Sequence, residues 1–148
     1  MRDATARVDS LLTQLRQRHC RVTPQRVALI RLLAESHDHP SAGGLYERIA
    51  VQFPGTSLGT VYKTLALLGD MGEVLTLTLN DGIIHYDVHR PYAHPHLICR
   101  CCHKVIDAPP EFESSAIAEP SEPAGFRIDI RQLDLYGLCS DCTRGAMV

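Results

Sequence analysis

Between residues 94 and 107 the chain reads HPHLICRCCHKVID, which packs three histidines, three cysteines and an aspartate into fourteen positions. Cys99 and Cys102 form one CxxC pair, and Cys139 and Cys142 form another with 36 residues between the two pairs. Two such knuckles supply four thiolates, the donor set that holds structural zinc tetrahedrally. A redox dithiol is the rival chemistry, but one CxxC suffices for that and the second is left unexplained. The loop between the knuckles is longer than in common zinc ribbons, so a metal there staples both ends of a small sheet. Its removal should unfold that part of the chain. A tetrahedral site has no place for a fifth sulfur, which leaves Cys101 a spectator, and Cys20 reads as a small buried residue near a helix end.

With those cysteines assigned, the same stretch still holds His94, His96, His103 and Asp107. His94 and His96 are two apart on an expected strand, so both point to one face, as chelation by paired imidazoles requires. Asp87 in YDV and His39 in HDHP could complete a mixed nitrogen and oxygen set. Such a set suits iron(II), manganese or zinc, because no soft sulfur selects against the first two. HDHP equally reads as a polar loop. Two histidines and two carboxylates also fit a metal-dependent hydrolase with water at an open position, although no stretch signals a separate substrate pocket.

The elements that must position these residues follow from periodicity. Val8, Leu11, Leu12 and Leu15 recur at helical spacing, predicting a helix that stops near His19 or Cys20. Thr23 caps a second helix with Pro24 at its first position, and Val27, Ile30 and Ala34 form its apolar face, widened by Leu29 and Leu33. Ser41 caps a third, carrying Leu45, Tyr46, Ile49 and Phe53. Ser57 caps a fourth, with Leu58, Val61, Leu65 and Leu68 on one face and Thr60, Lys63 and Thr64 on the other. Leucines 75, 77 and 79 then alternate with threonines before an Asn-Asp-Gly turn and a return strand. Short helices followed by a hairpin make a winged helix-turn-helix whose fourth helix enters the major groove. Beyond HRPY, 97–99, 104–107 and 126–138 read as strands, the last with a phase slip that predicts a bulge or bend, and 111–118 reads as a short helix.

Composition sets outer limits. The chain has 148 residues, 45% apolar but only 5% aromatic, enough for one or two small domains with real cores. The N-terminus lacks an apolar secretion region, and VALIRLLA is interrupted by Arg31, so a cytoplasmic protein with reduced thiols is expected. Charge is uneven: residues 1–78 carry nine Lys and Arg against seven Asp and Glu, whereas 79–148 carry six against ten. Seven of the arginines fall within the first 31 residues, the end a polyanion would prefer.

RVTPQR at 21–26, HPSAGGLYERI at 39–49, SLGTVYKTL at 57–65, HYDV at 85–88, HPHLICRCCHKVID and LYGLCSDC together resemble the ferric uptake regulator family along almost the whole chain. The resemblance implies an α+β homodimer, with a winged-helix DNA-binding domain over 1–86 and a small α/β dimerisation and metal-binding domain over 87–148. It implies structural zinc on Cys99, Cys102, Cys139 and Cys142, and regulatory iron(II) or manganese(II) on His39, Asp87, His94, His96 and Asp107. The implied activity is metal-dependent repression at a palindromic operator, with no enzymatic turnover, organic substrate or membrane. Ser57, Thr60, Tyr62 and Lys63 become the candidate DNA contacts, with Arg18 and Arg21 reaching phosphate. Asp107 looks like the peroxide-sensing members, where bound iron oxidises a histidine, here His39 or His94; a sensor of iron or manganese supply is the alternative. The chain departs from the pattern at Ile130 and Arg131, where many members carry a further metal-binding histidine. It also departs at His103, which replaces a glycine, and at Pro120 and Pro123, which interrupt a helical region. His37, His85, His89 and His103 take no family role and are expected at the surface.

Overall fold

In the computed structural model, which describes residues 2–79, 82–112, 125 and 133–145, three helices start at a hydroxyl side chain. Each hydroxyl takes up a backbone N–H of the kind a helix leaves orphaned in its first turn. Thr23 accepts from Arg26 N–H before α2 (Pro24–Glu35), Ser41 from Gly44 N–H before α3 (Ala42–Gln52), and Ser57 from Thr60 N–H before α4 (Leu58–Asp70). Helix α1 (Arg2–Gln17) ends as expected, with His19 at φ 56 and the Cys20 N–H donating to Leu15 O at 2.9 Å. That left-handed turn redirects the chain into α2.

The chain divides into two compact units, Met1–Tyr92 and Ala93–Val148. In the first, the stripes of all four helices meet in one core, where Leu11, Leu15, Ile30, Leu45, Ile49 and Leu68 are fully buried. An antiparallel hairpin of β1 (Leu75–Thr78) and β2 (Ile84–Asp87) follows α4, pairing Leu75 with Asp87 and Thr78 with Ile84. Gly82 takes φ 76 at the turn, a conformation that costs a glycine little. The segment before α3 lies along β2: Ser41 bridges His85, and Tyr86 N–H donates to Pro40 O at 3.1 Å. Helices followed by this hairpin form the expected winged helix-turn-helix.

Two expectations change here. Thr64 was placed with the polar face of α4 but is buried, because Val61, Thr64, Leu65 and Leu68 share one stripe. Its hydroxyl donates to Thr60 O at 2.9 Å, so burial leaves no donor orphaned. Arg7 counted toward the basic N-terminal end, yet its guanidinium pairs with Glu73 at 2.6 Å and donates to the carbonyls of Glu73 and Val88. It fastens α1 to both ends of the hairpin and is spent on the fold.

In the second unit β3 (His96–Cys99) is central, antiparallel to β4 (Val105–Asp107) and parallel to β5 (Asp134–Gly137). A short helix, α5 (Ser140–Gly145), carries the last knuckle. The first two strands match expectation within a residue. The expected strand over 126–138 is seen only as β5, and its predicted bend lies outside the described residues. So does most of the expected helix over 111–118. No helix among the described residues is long and apolar enough to cross a membrane.

Candidate metal centres and reading helix

Cys99 ends β3, Cys102 lies in the turn that follows, Cys139 precedes α5 and Cys142 lies on it. Parallel pairing sets Cys99 beside Gly137 and so brings the two knuckles together. All four thiols are free, and their sulfurs lie within 4.8 Å of one another, with Cys102 and Cys139 at 3.7 Å. A tetrahedron with bonds of about 2.3 Å to sulfur has edges of about 3.8 Å, so the spacing fits a four-thiolate zinc site. Backbone N–H groups favour charge there: those of Cys102 and Cys139 bring the Cys99 thiol down to about 6, and that of Cys142 lowers Cys139. Cys142 is pushed up by the neighbouring sulfurs of Cys139, Cys102 and Cys101, as expected where several thiols crowd together and one gives up its proton first. Cys101 is exposed and outside the cluster of four.

The turn that carries Cys102 places His103 at φ 59. That left-handed angle is unstrained for glycine and accounts for the glycine expected at this position. His103 N–H donates to Cys99 O at 3.0 Å and closes the knuckle.

In the second unit His94, His96 and Asp107 converge. β-Pairing sets His96 opposite Asp107, His94 Nε2 lies 3.1 Å from Asp107 Oδ1, and the two imidazole centroids are 4.2 Å apart. His94 and His96 are buried while Asp107 is partly open. Sequence reasoning missed Asp134, whose Oδ1 lies 3.7 Å from His96 Nδ1, at the far side of the same sheet. A carboxylate beside a ligand's other ring nitrogen orients that ring. Only the parallel β3–β5 register, which local patterning does not carry, reveals it.

In the first unit His39 and Asp87 form a buried pair, with His39 Nδ1 3.9 Å from Asp87 Oδ1. Asp87 ends β2, and the N–H groups of His89 and Arg90 donate to its Oδ1 at 2.7 and 3.4 Å, fixing the carboxylate's direction. Both donor sets are nitrogen and oxygen without sulfur, a composition that fits iron(II) or manganese(II). His85 and His89, expected at the surface, are half-buried, whereas His37 and His103 are exposed.

On α4 Tyr62 and Lys63 are exposed and Thr60 is half-buried. Ser57 is exposed but committed to capping, its Oγ 3.2 Å from Thr60 N and 3.1 Å from Thr60 Oγ1. Arg18 and Arg21 are exposed, and the Arg21 carbonyl accepts from the Arg26 guanidinium.

A winged helix followed by a unit bearing a four-cysteine cluster and two buried histidines beside an aspartate is the build of a metal-dependent transcriptional repressor. The ferric uptake regulator family matches residues 17–136, and the chain belongs to that family. It is 33% identical over 137 residues to the peroxide-responsive repressor PerR of Staphylococcus aureus, covering 91% of this chain and 90% of that one. A zinc-bound manganese uptake regulator superposes with a TM-score of 0.69 at 32% identity, over 89% of this chain and 98% of that one. The Helicobacter pylori ferric uptake regulator shares the fold, with a TM-score of 0.74 at 21% identity over 95% and 93%.

Proposed function

We propose that the protein is a homodimeric, peroxide-responsive repressor that binds a palindromic duplex when iron(II) or manganese(II) occupies a regulatory site made of His39, Asp87, His94, His96 and Asp107. Structural zinc sits on Cys99, Cys102, Cys139 and Cys142. The observation that carries this reading is the donor chemistry: histidine nitrogens and carboxylate oxygens, buried except for the partly open Asp107, with no sulfur among them. A divalent cation supplies the cross-link between the donor sets. His39 then belongs to the reading domain and His94 and His96 to the pairing domain, so ligation fixes the angle between them. In a symmetric dimer that angle sets the spacing of two recognition helices, which must match half-sites on one face of DNA. Driving such a switch from 1:99 to 99:1 takes about 5.5 kcal/mol of differential affinity, modest for several coordinate bonds. Tyr62, Lys63 and Thr60 read the groove, and Arg18 and Arg21 contact phosphate.

Duplexes selected from a random library by manganese-loaded protein test the reading through fluorescence anisotropy. Binding should depend on manganese and be lost in the His96→Ala variant, and Arg21→Ala should reduce the salt slope by about one. Binding that ignores the metal would sink the proposal. For the peroxide response, iron-loaded protein given dilute peroxide should gain about 16 Da at His39 or His94, one oxygen atom. The 32% identity to a manganese uptake regulator favours a second reading, a sensor of manganese supply. Absence of that mass gain, with metal-dependent DNA binding intact, would select it.

A further inference from the structure

His39 is buried at φ 42, a backbone conformation disfavoured for any residue with a Cβ. Such a peptide persists only where its surroundings over-determine it. Its carbonyl oxygen lies 2.6 Å from His85 Nδ1. A carbonyl can only accept, so Nδ1 carries a proton and donates it. His85 Nε2 is buried and meets no hydrogen-bond partner among the described residues. A side chain serving strand packing alone has no use for a second, unsatisfied nitrogen; valine or phenylalanine would fill β2 without the desolvation cost. The imidazole is therefore explained by the one bond its Nδ1 makes.

The surrounding contacts show what that bond completes. Ser41 bridges His85, Tyr86 N–H donates to Pro40 O, and the rings of His37 and His89 stack with centroids 5.2 Å apart at 19°. Residues 37–41 are thus pinned to 85–89 on both sides of His39, and the His85 ring takes hold of the left-handed peptide itself. We infer that His85 is a positioning residue for His39, its ring N–H holding the His39 peptide in the conformation that turns the ligand imidazole toward Asp87. The inference rests on the proposal that His39 is a regulatory ligand. His85 touches no metal; it acts through the backbone of a residue that does.

The test compares manganese(II) affinity, from the free-ion EPR signal, in full-length zinc-containing protein carrying His85→Phe, His85→Asn or His39→Ala. Asparagine places an N–H donor where Nδ1 sits, and phenylalanine keeps the ring without one. His85→Phe should weaken manganese binding by about ten- to hundredfold, the range seen when partners of ligands are removed. His85→Asn should restore most of that loss, and thermal unfolding of manganese-free protein should not follow the same order. If His85→Phe does not fold, His85→Val replaces it. Wild-type manganese affinity in the donorless variant, or equal loss in the asparagine variant, overturns the positioning role. His39→Ala with wild-type affinity overturns the ligand assignment, and the positioning role with it.

Discussion

The two units bury apolar surface very differently. The first closes a single core drawn from four helices and the base of the hairpin, running from Val8 to Val88. In the second, the buried apolar residues among those described are Ile98, Cys99, Val105 and Ala108, one of them a cysteine of the thiolate cluster. Among the described residues that core is small, and little hydrophobic burial is the situation in which a metal or a partner contributes folding energy. The cysteines therefore bear on the stability of the second unit, whereas the proposed function assigns the histidine and aspartate sets to regulation.

The largest expected effect breaks that comparison at its weaker side. Cys142→Ser, or stripping with a strong chelator, should unfold the second unit, since a structural zinc is worth on the order of 10 kcal/mol. Hydrogen exchange should show protection lost across 93–112 and kept across α1–α4; protection retained in both would mean that the small core suffices. In the first unit Ile49→Ala removes a fully buried side chain and should cost about 3 kcal/mol in urea unfolding followed by helical circular dichroism. Zinc content should not change.

Next comes the clasp between α1 and the hairpin. Removing Arg7 by Arg7→Leu should cost about 2 kcal/mol, because it strips a largely buried carboxylate of its charged partner and leaves it only the Gln14 amide. Burial pushes Glu73 up, but the side-chain bonds from Gln14 and Arg7 more than offset it, so its folded value lies below the usual 4.5. A lowered carboxylate contributes stability that is present above its unfolded value and lost as pH falls through the folded one. Acid unfolding of the first unit should therefore be less steep below pH 4.5 in Glu73→Gln than in the wild type. The smallest effect sharpens the comparison: His103→Gly relieves φ 59 in the knuckle and should stabilise the second unit by about 1 kcal/mol, read as slower zinc loss to a chelator.

Local chemistry was legible where it acts locally. Thr23, Ser41 and Ser57 announce their helices because a hydroxyl at an N-cap needs only its own next turn. The CxxC pairs likewise carry their meaning in spacing, whereas the step from His94 to His96, expected on one strand, has β3 beginning only at His96 with His94 ahead of it. What stayed hidden depends on partners far along the chain. Arg7 reads as one more basic residue until Glu73 and Val88 meet it, 66 and 81 residues away. Asp134 becomes the neighbour of His96 only through a parallel register, and His85 gains a purpose only when the loop before α3 is laid against β2. Thr64 was misread for a subtler reason, since a threonine that bonds its own helix can sit in an apolar stripe at little cost.

The central claim is that metal and DNA are bound by one coupled conformation, and coupling is reciprocal. Manganese(II) affinity of the zinc-containing protein, measured with and without the selected palindromic duplex, tests it most directly. The account predicts affinity at least about tenfold tighter in the presence of DNA, from a coupling of more than about 1.4 kcal/mol. Equal affinity with and without duplex would contradict it.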